Sequence, residues 1–263
     1  MASTLRTRLF LFCSLVLLPT LAATQDPVVP KGPDKEVAEQ IVLLKDVVAD
    51  KKMARDAEGV AAIDKLLMKF KAGVEAKDQT AIVKALDGVL TGGKQRPSNK
   101  TEIYVGAAQA LGYCGAEGAK VLKEAYLNKS RFPEKPEWVP FREHVLKNLG
   151  RTKDESMVKF LLNEAVRNHQ SALAAAGGEA LGNFEESKDV LRKEIVGDLM
   201  KHYGELAEKE SQIGSNIDSQ NAQNRLAALQ DKWNGTLAKL TRQNFATFRE
   251  WQAWHNKHKG QPW

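Results

Sequence analysis

Ala107-Ala108-Gln109-Ala110-Leu111-Gly112 closes an apolar helical run on small residues and a Leu-Gly pair, and the pair returns at Leu149-Gly150 and Leu181-Gly182. The steps between pairs, about 38 and 32 residues, are those of stacked two-helix repeats. Around each pair the apolar residues fall at helical spacing. Ile103, Ala107, Ala110 and Leu111 share a face, answered beyond the turn by Val121, Leu122, Ala125 and Tyr126. Trp138, Phe141, Val145 and Leu149 are answered by Val158, Leu161, Leu162 and Ala165, and Leu173, Ala176, Ala180 and Leu181 by Leu191, Ile195 and Leu199. Two helices that each bury a single stripe cannot fold alone, so neighbours must stack. Each glycine of a Leu-Gly pair is expected to take the left-handed conformation that ends a helix. Gly177-Gly178, inside the third run, is expected to loosen or kink it.

Outward from the repeats, residues 35–93 hold three further apolar stripes: Val37, Ile41, Leu44 and Val48; Val60, Ile63, Leu67 and Phe70; and Ile82, Leu86 and Val89. They predict an N-terminal helical region, begun by a capping Asp34 and ended at Thr91-Gly92-Gly93. Residues 24–34, with three prolines, are expected to be a flexible lead. The start of the chain has the layout of a secretory signal: Arg6 and Arg8, an apolar run from Leu9 to Leu18, then Pro19 and small residues to Ala22-Ala23. That run is shorter than the ~20 residues a membrane-spanning helix needs. Cleavage near residue 23 and an exported, periplasmic or extracellular location are the expectations.

Of 39 basic residues, Arg6 and Arg8 leave with that segment, so 37 face 33 acids and the net charge falls from +6 to +4. Such a balance fits a soluble surface and not a nucleic-acid footprint. Cys13 leaves too, so the mature chain keeps Cys114 alone and has no internal disulfide. Cys114 reads as a small buried residue.

The run from Ala107 to Gly112, with its short acidic turn and apolar second helix, resembles the HEAT family of helical repeats across residues 101–203. Residues 204–263 supply a second likeness. After a polar stretch to Asp218, Leu226, Leu229, Trp233, Leu237 and Leu240 form a stripe interrupted by Asn234-Gly235. Leu240-Thr241-Arg242-Gln243-Asn244-Phe245, then Trp251 and Trp254, is similar to the closing segment of exported bacterial HEAT-repeat proteins. There Arg242 replaces a usual glycine and His255 a frequent tryptophan. The resemblance implies an all-α, right-handed α-α superhelix, a HEAT-like solenoid with N- and C-terminal helical caps. It implies a non-catalytic, protein-binding or scaffold role, with a carbohydrate-binding module or a HEAT-like lyase as alternatives.

No nucleophile elbow, phosphate loop, Cys-x-x-Cys or His-Glu-x-x-His occurs, and no cofactor or metal is implied. His255 and His258 share a spacing but lack further ligands, so they read as a solvated basic tail. Glu185-Glu186 and Asp154-Glu155 sit at helix starts, where acids complement the dipole. Phe245, Phe248, Trp251 and Trp254 fit a helix docked on the last repeat, or else a platform for sugars. The partner surface is expected along one edge, at Lys94, Arg96, Lys129, Arg131 and Lys135. Such a basic ridge would attract an acidic protein, a polysaccharide or a lipid headgroup, unless the charges merely complement helix ends. The long connection from Asn128 to Glu137, with Phe132 and Trp138 at its sides, is the expected contact point.

Overall fold

The computed structural model describes residues 34–211 and 217–262, so the expected signal and all of the expected lead but Asp34 lie outside the described residues. Among those described there are eleven α-helices and no strand. They are α1 (Lys35–Ala49), α2 (Asp56–Ala72), α3 (Ala76–Thr91), α4 (Glu102–Leu111), α5 (Gly115–Leu127), α6 (Val139–Arg151), α7 (Val158–Arg167), α8 (Ser171–Leu181), α9 (Asp189–Ser211), α10 (Ile217–Thr241) and α11 (Phe248–His258). Asp34 caps α1, its carboxylate accepting from the Glu36 and Val37 amides.

The helices pack in two series. In the first, α2 lies on α4, α4 on α6, α6 on α8 and α8 on α10. In the second, α1 lies on α3, α3 on α5, and α7 on α9, while Tyr126 of α5 reaches α7 through its hydroxyl, which donates to Glu164 at 2.5 Å. Between the series runs one continuous core from Val37 to Trp251.

The Leu-Gly glycines do not do what their position in the sequence predicts. Gly112 and Gly182 have φ of −59° and −64°, ordinary right-handed values, and Gly150 lies inside α6. What they lack, a side chain, is what the neighbouring helix needs. A Cβ on Gly112 would come 3.1 Å from the Asn148 carbonyl oxygen of α6, one on Gly150 2.3 Å from that of Ala180 in α8, and one on Gly182 3.2 Å from the Thr236 hydroxyl of α10. Each glycine lets the next helix of the first series approach.

Gly177-Gly178 likewise leaves α8 continuous. The two residues are buried against neighbours on both sides, Gly177 under the Ala165 backbone and Gly178 under the Trp233 indole, whose nitrogen would meet a Cβ at 2.1 Å. Packing outweighs the helix-propensity cost. The helix α10 also runs unbroken through Asn234-Gly235, and α9 stays helical from Gly204 to Ser211. Asn234 then ties down the tail, its amide donating to the Ala246 carbonyl at 2.9 Å. Thr247 and Glu250 form a reciprocal capping box that starts α11.

Candidate functional site

The connections carrying the expected basic ridge meet the C-terminal ends of helices, whose last carbonyls have no intrahelical donor. Arg96 is buried, and its guanidinium donates to the Val47 carbonyl of α1 at 3.1 Å and to both carboxylate oxygens of Asp56 at 3.2 and 2.8 Å. Arg131 donates to the Gly92 and Gly93 carbonyls just past α3 and to the Tyr104 hydroxyl. Arg142 sits over the Tyr126 ring at 4.0 Å and donates to the Tyr126 and Phe132 carbonyls, each at 2.9 Å. Arg192 does the same at the end of α10 through the Leu240 carbonyl, and Arg225 just past α7 through that of Asn168. Five helix ends are thus closed by arginines from elsewhere in the chain.

This corrects the expected partner surface. Arg96 and Arg131 are committed to the fold, and Phe132 and Trp138 are buried. Phe132 packs edge-on against Tyr104 with centroids 5.2 Å apart and against Phe141 at 4.5 Å, and Trp138 lies 5.6 Å from Phe132. The long connection is pinned into the core by its own aromatics. Lys94, Lys129 and Lys135 remain exposed, Lys129 pairing with Glu134 at 3.1 Å.

The aromatic tail is also committed inward. Trp251 is 1% exposed, with Phe245 edge-on at 4.9 Å, and Phe248 leans on Tyr203 of α9 at 4.9 Å. Trp254 stacks on His258 at 5.2 Å. Cys114 is buried and its thiol is pushed up to about 12 by desolvation, far from thiolate chemistry at neutral pH. Among the described residues no three His, Cys, Asp or Glu side chains cluster to hold a metal.

A concavity lies elsewhere, between α7 and α9, with a volume of about 580 Å³. Its α7 wall carries Lys159, Asn163 and Arg167 at intervals of four, above Leu162 and Val166. Its α9 wall carries Glu194, Asp198, His202 and Glu205, with Lys201 among them. One wall is basic and the other mostly acidic. Among the described residues none of Lys159, Arg167, Glu194, Asp198 or Lys201 forms an ion pair; Glu205 meets His202 at 3.3 Å. His202 is half-buried against the Trp233 ring at 5.8 Å, its Nε2 without a hydrogen-bond partner. Desolvation lowers its pKa, aided by Arg225 and Lys209 and opposed by Glu205. The sequence does carry a signal for this groove, the four-residue spacing of polar residues on both helices. That spacing marks a helix face, and only packing shows that the two faces meet.

Searches against protein-family models, curated proteins and solved structures return no match for this chain.

Proposed function

We propose that this protein is an exported, non-catalytic scaffold, a right-handed HEAT-like superhelix with residues 35–93 as its N-terminal cap and residues 204–263 as its C-terminal one, that holds a segment of a partner protein in the α7–α9 groove. The two helix series, with a glycine contact at each step of the first, support the superhelix; burial of Trp251 under Phe245 supports the closing cap. Solution scattering tests this architecture. A stack should give a radius of gyration above the ~18 Å of a compact domain of this length.

The binding role rests on one observation. Opposite charges line facing walls of a groove and are not neutralised across it, whereas ion pairs form elsewhere on the surface, as between Glu179 and both Lys147 and Lys232. A segment with acids along one side and bases along the other would satisfy both walls, and the separation of signs would set its direction. Affinity capture from envelope extract tests this reading when wild type is compared with two charge reversals. Lys159→Glu with Arg167→Glu should lose the captured protein, and Lys94→Glu with Lys135→Glu should keep it. The opposite pattern returns binding to the exposed lysines of the edge. Export is tested by sequencing the N-terminus of native protein, where an intact Met1 rejects it.

A further inference from the structure

A second concavity, of about 230 Å³, opens between α1 and α3. Its lining is mostly apolar, with Leu44 and Val48 from α1 and Ala85 and Gly88 from α3. Lys45 and Lys84 stand on its rim, both exposed and, among the described residues, without an ion pair. Gly88 differs from the glycines of the Leu-Gly pairs. It occupies the interior of a helix, where only proline is less favourable, yet a Cβ there would meet nothing within 4 Å. Packing does not require the glycine, and its missing side chain is what leaves the cleft open.

The electrostatics favour an anion at the rim. Helix C-termini, such as those of α1 and α3 nearby, ordinarily repel negative charge. Here Arg96 donates to the Val47 and Val48 carbonyls near the end of α1, and Arg131 to the Gly92 carbonyl just past α3. Of the neighbouring acids, Asp50 is engaged by the Lys52 and Ala54 amides, and neither Asp46 nor Asp87 lines the cleft. At ~30 Å³ per water-sized group the volume accepts roughly seven or eight such groups, the span of a medium alkyl chain.

We propose that this cleft is a binding site for a medium-chain alkyl carboxylate, its chain lying along Leu44, Val48, Ala85 and Gly88 and its carboxylate between Lys45 and Lys84. The site is separate from the α7–α9 groove, and its occupancy does not depend on a protein partner. Octanoate, titrated into the full mature chain and followed by amide chemical shifts, is the probe. Saturable shifts should centre on Gly88, Gly93 and Ala49, and affinity should rise two- to fourfold for each methylene from hexanoate to octanoate. Gly88→Leu enters the cleft from a Cβ that meets nothing within 4 Å and improves the helix, so it should lose at least tenfold in affinity with no loss of melting temperature. Lys45→Gln with Lys84→Gln should weaken octanoate severalfold and leave octanamide unchanged. The proposal is overturned if shifts centre elsewhere, if Gly88→Leu binds as wild type does, or if octanamide binds wild type as well as octanoate.

Discussion

The basic edge and the α7–α9 groove carry similar numbers of charges, and the fold uses them in opposite ways. At the edge the guanidiniums of Arg96, Arg131 and Arg142 are turned inward onto carbonyls, while Lys94, Lys129 and Lys135 stay in solvent. In the groove the charges of Lys159, Arg167, Glu194 and Asp198 face a common space without pairing. The difference at the edge follows residue type. A guanidinium is planar, weakly hydrated and offers five donors, so it can satisfy several fixed carbonyls at once; a compact ammonium is more strongly hydrated and is held by water. A cation near a helix end in a sequence is therefore weak evidence of a binding surface, and weaker still when it is arginine.

The largest expected effect lies at the edge. Arg96→Ala leaves Asp56 without its cation and the end of α1 without its donor, inside a buried environment. Removal of one partner of such a pair typically costs about 3–5 kcal/mol. Chemical denaturation should show that loss, with Arg96→Lys recovering only part because one ammonium cannot reach both Asp56 oxygens and Val47. A midpoint unchanged in Arg96→Ala would put the guanidinium back in solvent and restore the ridge as a binding surface.

Next comes the glycine contact between α6 and α8. Gly150→Ala places a methyl 2.3 Å from a backbone oxygen that cannot rotate away, so the two helices must separate. Overpacking of this kind costs roughly 1–3 kcal/mol. The same change at Gly112, where the approach is 3.1 Å, should cost less, and thermal melts of the two variants side by side decide the order.

The groove should show itself through pH. Burial holds the His202 pKa below its usual 6.5, so the folded chain binds its proton less readily than the unfolded chain. Stability is therefore full above pH ~6.5 and falls as pH drops through that value towards the lowered pKa. His255, also lowered by burial and by Lys259, adds to the same slope. His202→Gln should flatten part of the stability loss between pH 7 and 5, and adding His255→Gln should flatten more. A slope unchanged in the double variant would place both rings in water.

The smallest effect belongs to the exposed lysines. Lys94→Ala, Lys129→Ala and Lys135→Ala should each shift stability by less than ~0.5 kcal/mol, because surface ion pairs such as Lys129 with Glu134 contribute little. A large shift in any of them would erase the contrast between lysine and arginine at this edge.

By itself the sequence determined the helices, because an apolar stripe at helical spacing can be buried in only one way and caps such as Asp34 act within a few residues. It also placed Cys114 on a buried position, whereas Trp251 stayed open between a docked helix and a platform for sugars until the fold buried its ring. Contacts between distant segments were decided only by the tertiary structure. A Leu-Gly pair reads locally as a helix end, yet Gly112, Gly150 and Gly182 are fixed by a neighbouring helix some thirty or more residues further on. Gly177-Gly178 and Asn234-Gly235 read as weak points, yet the first is locked under Trp233 and the second lies in an unbroken helix. Arg96 reads as surface charge until α1 and Asp56 are placed around it. The α7–α9 groove belongs to neither helix alone. The physical reason is common to all of these: helix periodicity depends on neighbours within a turn or two, whereas close approach, desolvation and the capping of a remote carbonyl exist only once separate helices have met.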